Sequence, residues 1–350
     1  MFNIVTIGSA TIDVFVKCDD ANIVSVQSTD KKSEFMSYKY GSKIDITDFD
    51  TKVGGGGVNT AINFANLGYN TSAIFKCGED FYAHGVLNYL KDKNLDLSNI
   101  IQTPKTSTGF SVILVSFQGD RTVLAHRGGN GEIKKDDINW DAIKQAKFLY
   151  LAPLNGKSTK ILEPIVEFAH KNDVKICVNA GSSSLKKGFD YMKHILEDAQ
   201  IVVMNKEEAQ MCTGIVVRPN TAEEDFSKEK IHPDIIKMLK KLKVQDYQLI
   251  VITDGGKGAY AYAKDKIYFA PIFPSKVVST LGAGDAFAST LCATLHAKNT
   301  DICKALTYAS VNSSSVVSNF GATEGLLKFE EIEEKLKEYP EYKCEVFENI

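Results

Sequence analysis

Arginine is nearly missing from this sequence. Arg121, Arg127 and Arg218 are the only three, and the other 38 of 41 basic residues are lysines. An excess of either charge is missing too, since 41 basic residues stand against 44 acidic ones, a formal net charge of −3. Such a balance lacks the basic face that nucleic-acid phosphates or an anionic membrane surface attract. No apolar run reaches the roughly 18 residues of a membrane-spanning helix. The stretch Met1-Phe2-Asn3-Ile4-Val5-Thr6-Ile7-Gly8 has no basic segment ahead of a long apolar core, so no signal peptide is expected. Cysteine occurs seven times, as Cys18, Cys77, Cys177, Cys212, Cys292, Cys303 and Cys344, never in a C-x-x-C spacing. The odd count in a chain this long points to a reduced, cytoplasmic protein without a cysteine-type zinc site.

What is present is ordinary globular composition, 44% hydrophobic and 24% charged over 350 residues. The length suits two units of roughly 150 residues, or one large α/β domain with a small appendage. Short apolar runs at Ile4–Ile7, Ser72–Lys76, Phe148–Leu151, Lys175–Val178, Ile201–Met204 and Leu249–Thr253 predict buried strands. Between them, Val58–Leu67, Phe81–Lys93 and Ser158–Lys171 have helical spacing, and Gly68 is a helix stop. Strand–helix alternation predicts a doubly wound, mainly parallel α/β sheet. Residues 14–52 and 107–127 break the rhythm. The second stretch predicts a hairpin, Gly109–Ser116 and Arg121–Arg127 around a turn at Phe117-Gln118-Gly119-Asp120. Together they are expected to form a small β-sheet lid on a domain made of 1–13, 53–106 and 128–350. From Phe329 a charged surface helix is expected, and the polar stretch 219–233 is expected to be a loose loop.

The segment Ser279-Thr280-Leu281-Gly282-Ala283-Gly284-Asp285-Ala286-Phe287 enters a helical pattern from Ala286 to Ala297. Glycines at a helix start let several backbone N–H groups face an anion, aided by the helix dipole. The amides of Gly282, Ala283 and Gly284 then suit a phosphoryl group, with Asp285 taking a proton from an attacking hydroxyl. The plain alternative for Asp285 is helix capping. A dinucleotide fingerprint fails because Phe287 and Asn59 occupy the sixth positions of the two candidate glycine runs, and Gly256-Lys257-Gly258 lacks the Ser or Thr of a P-loop.

Four more segments bear on chemistry. Gly54-Gly55-Gly56-Gly57-Val58-Asn59 suggests close approach of backbone to a ligand, or a hinge, and Asn59 suits a vicinal diol. Asp13, past the first strand, suits sugar hydroxyls at the carboxyl end of a sheet, or is a solvated turn residue. Asn205 and Glu208, three apart after a strand, suit Mg²⁺ held through water, or an acidic first helical turn. Thr253-Asp254-Gly255-Gly256-Lys257-Gly258 suits nucleotide phosphates, or a hairpin turn. Arg121 and Arg127, if in one strand, share a face and could clamp an anionic substrate.

In order and spacing these segments resemble the ribokinase, or phosphofructokinase B, family of carbohydrate kinases, over about Val5 to Glu331. Gly78-Glu79-Asp80 and Arg127-Gly128-Gly129-Asn130 add to the likeness. The resemblance implies ATP- and Mg²⁺-dependent phosphoryl transfer to a sugar hydroxyl under a β-sheet lid. It implies Asp285 as base and Gly282, Ala283 and Gly284 as anion hole. Asp13, Gly54, Gly55 and Asn59 would contact the sugar, with Arg121, Arg127 and Asn179 as further substrate-side candidates. Thr253, Gly255 and Gly258 would line the nucleotide phosphates, Asn205 and Glu208 the metal–phosphate motif, and Asn312 the adenine. Ser279 stands where the family often has Asp, which counts against a monovalent-cation site. Gly56 replaces a lysine of ribokinases proper, which counts against ribose. A sugar, a phosphosugar or a nucleoside all remain as acceptors, a homodimer through the lid is plausible for this family, and a non-catalytic sugar-binding regulator is the rival of a different class.

Overall fold

The computed structural model describes residues 2–18, 21–27, 32–115, 121–219, 226, 229–297 and 301–348. Its centre is a ten-stranded sheet. Seven parallel strands lie in the order Leu249–Thr253, Ile201–Asn205, Lys175–Val178, Phe148–Leu151, Ile4–Ile7, Thr71–Ile74 and Leu95–Asp96. Three antiparallel strands, Ala259–Ala263, Lys266–Ala270 and Glu345–Glu348, extend the Leu249 edge.

The two-residue period of a strand explains why these runs are apolar throughout. Leu149, Leu151, Val202, Met204, Ile250 and Ile252 enter one core with Ile165, Met192 and Met238 from the helices on that face. Their neighbours Phe148, Tyr150, Ile201, Val203, Leu249 and Val251 enter the other core with Phe64, Phe287, Leu291 and Ala309. A sheet covered on both faces has no polar side to alternate with. From Ile4–Ile7 the chain runs first to one side of the sheet and later to the other. This makes a switch point between Ile4–Ile7 and Phe148–Leu151, where doubly wound sheets open a crevice beyond the strand ends.

A separate four-stranded sheet pairs Arg121–His126, Gly109–Val115, Thr11–Lys17 and Asp48–Gly54 in that order. The strands Thr11–Lys17 and Asp48–Gly54 each run across an expected domain boundary, at 13/14 and 52/53. A hairpin of Asn22–Gln27 and Lys32–Ser37 adds a two-stranded ribbon. The turn Phe117-Gln118-Gly119-Asp120, and residues 220–225, 227 and 228 of the polar stretch, lie outside the described residues.

Several expectations are corrected. The strand expected at Ser72–Lys76 stops at Ile74, and Lys76–Cys77 pairs instead with Ile101–Gln102. The helix expected from Ser158 starts as a tighter Gly156–Ile161 turn, and the α-helix is Leu162–Lys171. Pro164 has no N–H and belongs in a first turn. The last helix ends at Lys337, and Glu345–Glu348 returns as an edge strand. The expectation of a fully reduced chain is overturned by a disulfide between Cys303 and Cys344, whereas Cys18, Cys77, Cys177, Cys212 and Cys292 are free and buried. No helix among the described residues is long and apolar enough to cross a membrane.

Arg218 is a structural residue. Its Nε donates to Asp234 Oδ2 at 2.8 Å, and Asp234 is 2% exposed in the first turn of Pro233–Leu242. These bonds hold the Asp234 carboxyl well below the usual carboxylate range, so its stabilisation is present above the unfolded pKa and fades as pH falls. Asp234→Ala is expected to cost about 1–3 kcal/mol, read as a lower urea midpoint at unchanged m-value, and to flatten the acid side of the stability profile.

Candidate active site

The helix Ala283–Ala297 begins three residues earlier than its sequence pattern suggests, inside the glycine segment. Ala286 N already bonds Gly282 O at 2.8 Å, and the amides ahead of it have no intrahelical acceptor. Gly282 has φ +77, and a Cβ there would lie 2.2 Å from Ala322 O, so the turn needs glycine on both counts. Gly284 faces open space. Ser279 is spent on the turn: its N donates to Val317 O, and its Oγ accepts the Leu281 N–H at 3.3 Å.

Asp285 points from this helix to the helix Gly56–Asn66. Its Oδ2 accepts the Asn59 Nδ2–H at 2.8 Å, and its Oδ1 is 3.5 Å from where a Cβ on Gly56 would sit. Burial pushes the Asp285 carboxyl pKa up, against the smaller pull of the Asn59 bond. Asn59 is 6% exposed, and its Oδ1 has no hydrogen-bond partner. A buried carbonyl of this kind costs free energy unless a donor arrives.

The glycine run joins Asp285 to Asp13. A Cβ on Gly54 would lie 2.2 Å from Asp13 Oδ2, so only glycine leaves room for that carboxylate. Asp13 is not in a turn, as its place in the sequence suggested, but inside the strand Thr11–Lys17, 7% exposed. Burial raises its pKa, and bonds to Ser111 and Thr11 partly oppose this. Gly55 packs on Ser9, whose Oγ accepts the Gly56 N–H at 3.1 Å. The run is therefore packed between the two sheets.

On the far side, Asn205 and Thr253 are register partners at neighbouring strand ends. Asn205 and Glu208 form a capping box: Asn205 Oδ1 accepts the Glu208 N–H at 2.8 Å, and Glu208 Oε2 accepts the Asn205 N–H at 2.9 Å. Burial raises the Glu208 pKa, and the charges of Glu207 and Asp285 add to the effect. Gly255–Lys257 is a tight turn into the antiparallel strand Ala259–Ala263, with Gly255 and Gly256 open to solvent and Gly258 closed against Ala270 O. Among the described residues no cluster of three or more ligating side chains occurs. Mg²⁺ needs only one or two carboxylates beside water and phosphate, and Glu208, with Asp285 in electrostatic reach, fits that requirement.

Four further expected residues are Asn312, Arg121, Arg127 and Asn179. Asn312 is wholly buried and fully committed: its Nδ2 donates to Thr290 Oγ1 at 2.8 Å and Asn63 Oδ1 at 3.1 Å, and its Oδ1 accepts the Leu327 N–H at 2.9 Å. It pins helices together and has nothing left for adenine. Arg121 and Arg127 do not share a strand face, because the strand ends at His126 and Arg127 turns into the helical region with φ −76. Asn179 Nδ2 donates to Tyr150 Oη at 3.4 Å, just beyond the strand Lys175–Val178. Ser9, Ser111 and Tyr150 escaped the sequence reading, since only the pairing of Asp13 with Ser111 and the crossing at the switch point give them a role.

The profile described as pfkB family carbohydrate kinase matches residues 1–328. The chain belongs to that family. This makes it a phosphotransferase acting on the hydroxyl of a sugar or sugar-like molecule. It is 26% identical over 337 residues to a ribokinase of Bacillus subtilis, covering 96% of this chain and all of that one. It is 27% identical over 307 residues to a bifunctional ribokinase/ribose-5-phosphate isomerase A of Fructilactobacillus sanfranciscensis, covering 86% of this chain but only 53% of that one. In fold it is similar to Arabidopsis thaliana ribokinase complexed with ribose and ATP, with TM-score 0.75, 22% identity and coverage of 96% and 99%. It is also similar to a Burkholderia thailandensis nucleoside kinase in complex with inosine, with TM-score 0.74, 16% identity and coverage of 97% and 99%.

Proposed function

We propose that this carbohydrate kinase transfers the γ-phosphoryl group of ATP to a hydroxyl held between Asn59 and Asp285. The observation that carries this reading is the Asn59 amide: it donates to the carboxylate while its Oδ1, buried, lacks a donor. A hydroxyl of the acceptor supplies that donor and stands beside the base. Asp13 accepts from further hydroxyls, with Gly54 leaving room for it. Asp285 takes the proton as the oxygen attacks phosphorus, the bond to the ADP oxygen breaks, and the amides of Gly282, Ala283 and Gly284 receive the charge. Thr253 and Gly255 line the nucleotide phosphates. Glu208 and Asn205 hold Mg²⁺ through water, and the ion when bound neutralises phosphate charge. The four-stranded sheet acts as a lid that excludes water.

Asn59→Ala removes one buried bond to the acceptor. It is expected to raise the acceptor KM roughly tenfold to a hundredfold, with a much smaller change in the ATP KM. Steady-state kinetics with both substrates varied checks this. A coupled ADP-release screen over pentoses, hexoses, their monophosphates and nucleosides identifies the acceptor. Acceptor binding without ADP release across the whole panel would favour a sugar-binding regulator. The likeness to a nucleoside kinase keeps nucleosides in the panel.

The outer face of the lid sheet is apolar and poorly covered, with Val14, Val16, Val112 and Leu114 half-buried and Phe49 and Leu124 exposed. This supports pairing of two copies through the lid. Light scattering is expected to give twice the mass of 38.5 kDa, and Phe49→Lys with Leu124→Lys to give the monomer.

A further inference from the structure

We propose that Lys52 and Glu324 are positioning residues: their ion pair ties the lid sheet to the loop behind the anion turn, so that acceptor and nucleotide strengthen each other's binding. The inference rests on the kinase reading above and adds a link between its two substrate ends.

The lid side of the link starts at the acceptor. Lys52 lies directly opposite Asp13, so the two side chains leave the same face of the lid sheet. Phe15, two residues beyond Asp13 in the same strand, shares that face. Lys52 Nζ is 3.1 Å from Asp50 Oδ2 in its own strand and 3.6 Å from Glu324 Oε1. The Asp50 contact stays within the lid. The Glu324 contact crosses to residues 319–325, the loop after the helix Ile302–Val317. The rings of Phe15 and Phe320 have centroids 4.7 Å apart. An ion pair and an aromatic contact therefore join one face of the lid to one loop.

The same loop is the wall of the anion turn. The backbone of Ala322 is what forbids a side chain on Gly282. Val278 and Ser279, which lead into the turn, donate their N–H groups to Val317 O at 2.9 and 3.1 Å. The loop itself is braced. Tyr89 Oη and Thr323 Oγ1 are hydrogen-bonded at 2.9 Å, Asn319 Nδ2 donates to Ser315 O at 2.8 Å, and Glu324 Oε2 accepts the Thr323 N–H at 3.2 Å. Gly321 lets that carboxylate fold back over the loop, where any Cβ would collide with it. A braced loop passes a displacement on instead of absorbing it. An acceptor that bridges Asp13 and Asp285 holds the lid down. The lid, through Lys52 and Phe15, holds the loop, and the loop holds Ala322 against the turn that receives phosphate. Nucleotide at the turn favours the same closed arrangement, because coupling between two sites is reciprocal. Without either half of the pair both sites remain, and the link between them weakens.

The test measures binding, not turnover. Titration calorimetry gives the Kd of an imido analogue of ATP with Mg²⁺, alone and with the compound of the acceptor panel that raises the melting temperature most. In the wild type that compound should tighten the analogue about fivefold or more, within the usual range of coupling. Lys52→Met and Glu324→Gln should each cut this factor by roughly two- to fivefold, the scale of a partly exposed ion pair, and the double variant should cut it no further. Lys52→Arg should keep it. Glu324→Gln combined with Phe320→Ala should bring it within about twofold of unity. The Kd of the analogue alone should stay within about twofold in every variant, which a merely structural role would not ensure. No tightening in the wild type, or the wild-type factor in both Lys52→Met and Glu324→Gln, overturns the proposal. A weaker Kd for the analogue alone, at an unchanged factor, overturns it as well and leaves the pair a role in stability only. The site reading fails separately. A fully active Asp285→Asn removes the base whatever the coupling, whereas an inactive Asp285→Asn beside an unchanged factor removes this inference alone.

Discussion

Asp285→Asn is expected to lower kcat by roughly 10²–10⁴ and to leave ATP binding nearly intact. The amide keeps the size and can still accept the Asn59 N–H, so what is lost is the ability to take a proton. Burial raises the pKa of the wild-type carboxyl. A base works only when ionised, so wild-type kcat should fall as pH drops through that raised value. The acid limb of the profile then lies above the ordinary aspartate value of about 3.9. The variant's residual rate should lack that limb. Linkage gives a second sign. A carboxyl whose folded-state pKa is raised favours the fold below its unfolded pKa, and this contribution is lost as pH rises through the folded value. At neutral pH the buried charge is a cost, so the melting temperature of Asp285→Asn should equal or exceed that of the wild type while activity collapses. An inactive variant that is also clearly less stable would point to a structural role.

Gly282→Ala is expected to lower kcat by roughly 10²–10³, the scale of losing one preorganised anion-hole donor. A methyl group at this position meets the Ala322 carbonyl oxygen at 2.2 Å, and φ +77 is strained for alanine. The turn must move, and the amides move with it. The acceptor KM should change little, because Asn59 and Asp13 stand on other elements. Gly284→Ala provides the contrast: nothing lies within 4 Å of its added Cβ, so loss there is expected only when phosphate is bound. Equal kcat for both variants and the wild type would remove the turn from the mechanism.

The large sheet was legible because its strands are buried on both faces, and an unbroken apolar run such as Leu249–Thr253 needs no tertiary knowledge to be seen. Asp285 was legible for a related reason: two glycines before a helix have few uses. Asn205 and Glu208 show the limit. The same two residues make a capping box whether or not a metal sits beside them, so spacing alone cannot separate the roles. Asn312 shows another, since the polarity that suggested a nucleotide contact is consumed by Asn63, Thr290 and Leu327, which are distant in sequence. The edge strand Glu345–Glu348 exists through its pairing with Lys266–Ala270, which no local pattern announces. The disulfide likewise joins residues 41 apart that only the fold brings together.

The most direct measurement is a crystal structure of the protein with its acceptor and a non-hydrolysable ATP analogue. The reacting hydroxyl oxygen should lie within about 3 Å of the Asp285 carboxylate, donating to Asn59 Oδ1 or to that carboxylate, with the terminal phosphate at the helix start. An acceptor bound elsewhere, with Asp285 turned from every substrate oxygen, would contradict the account.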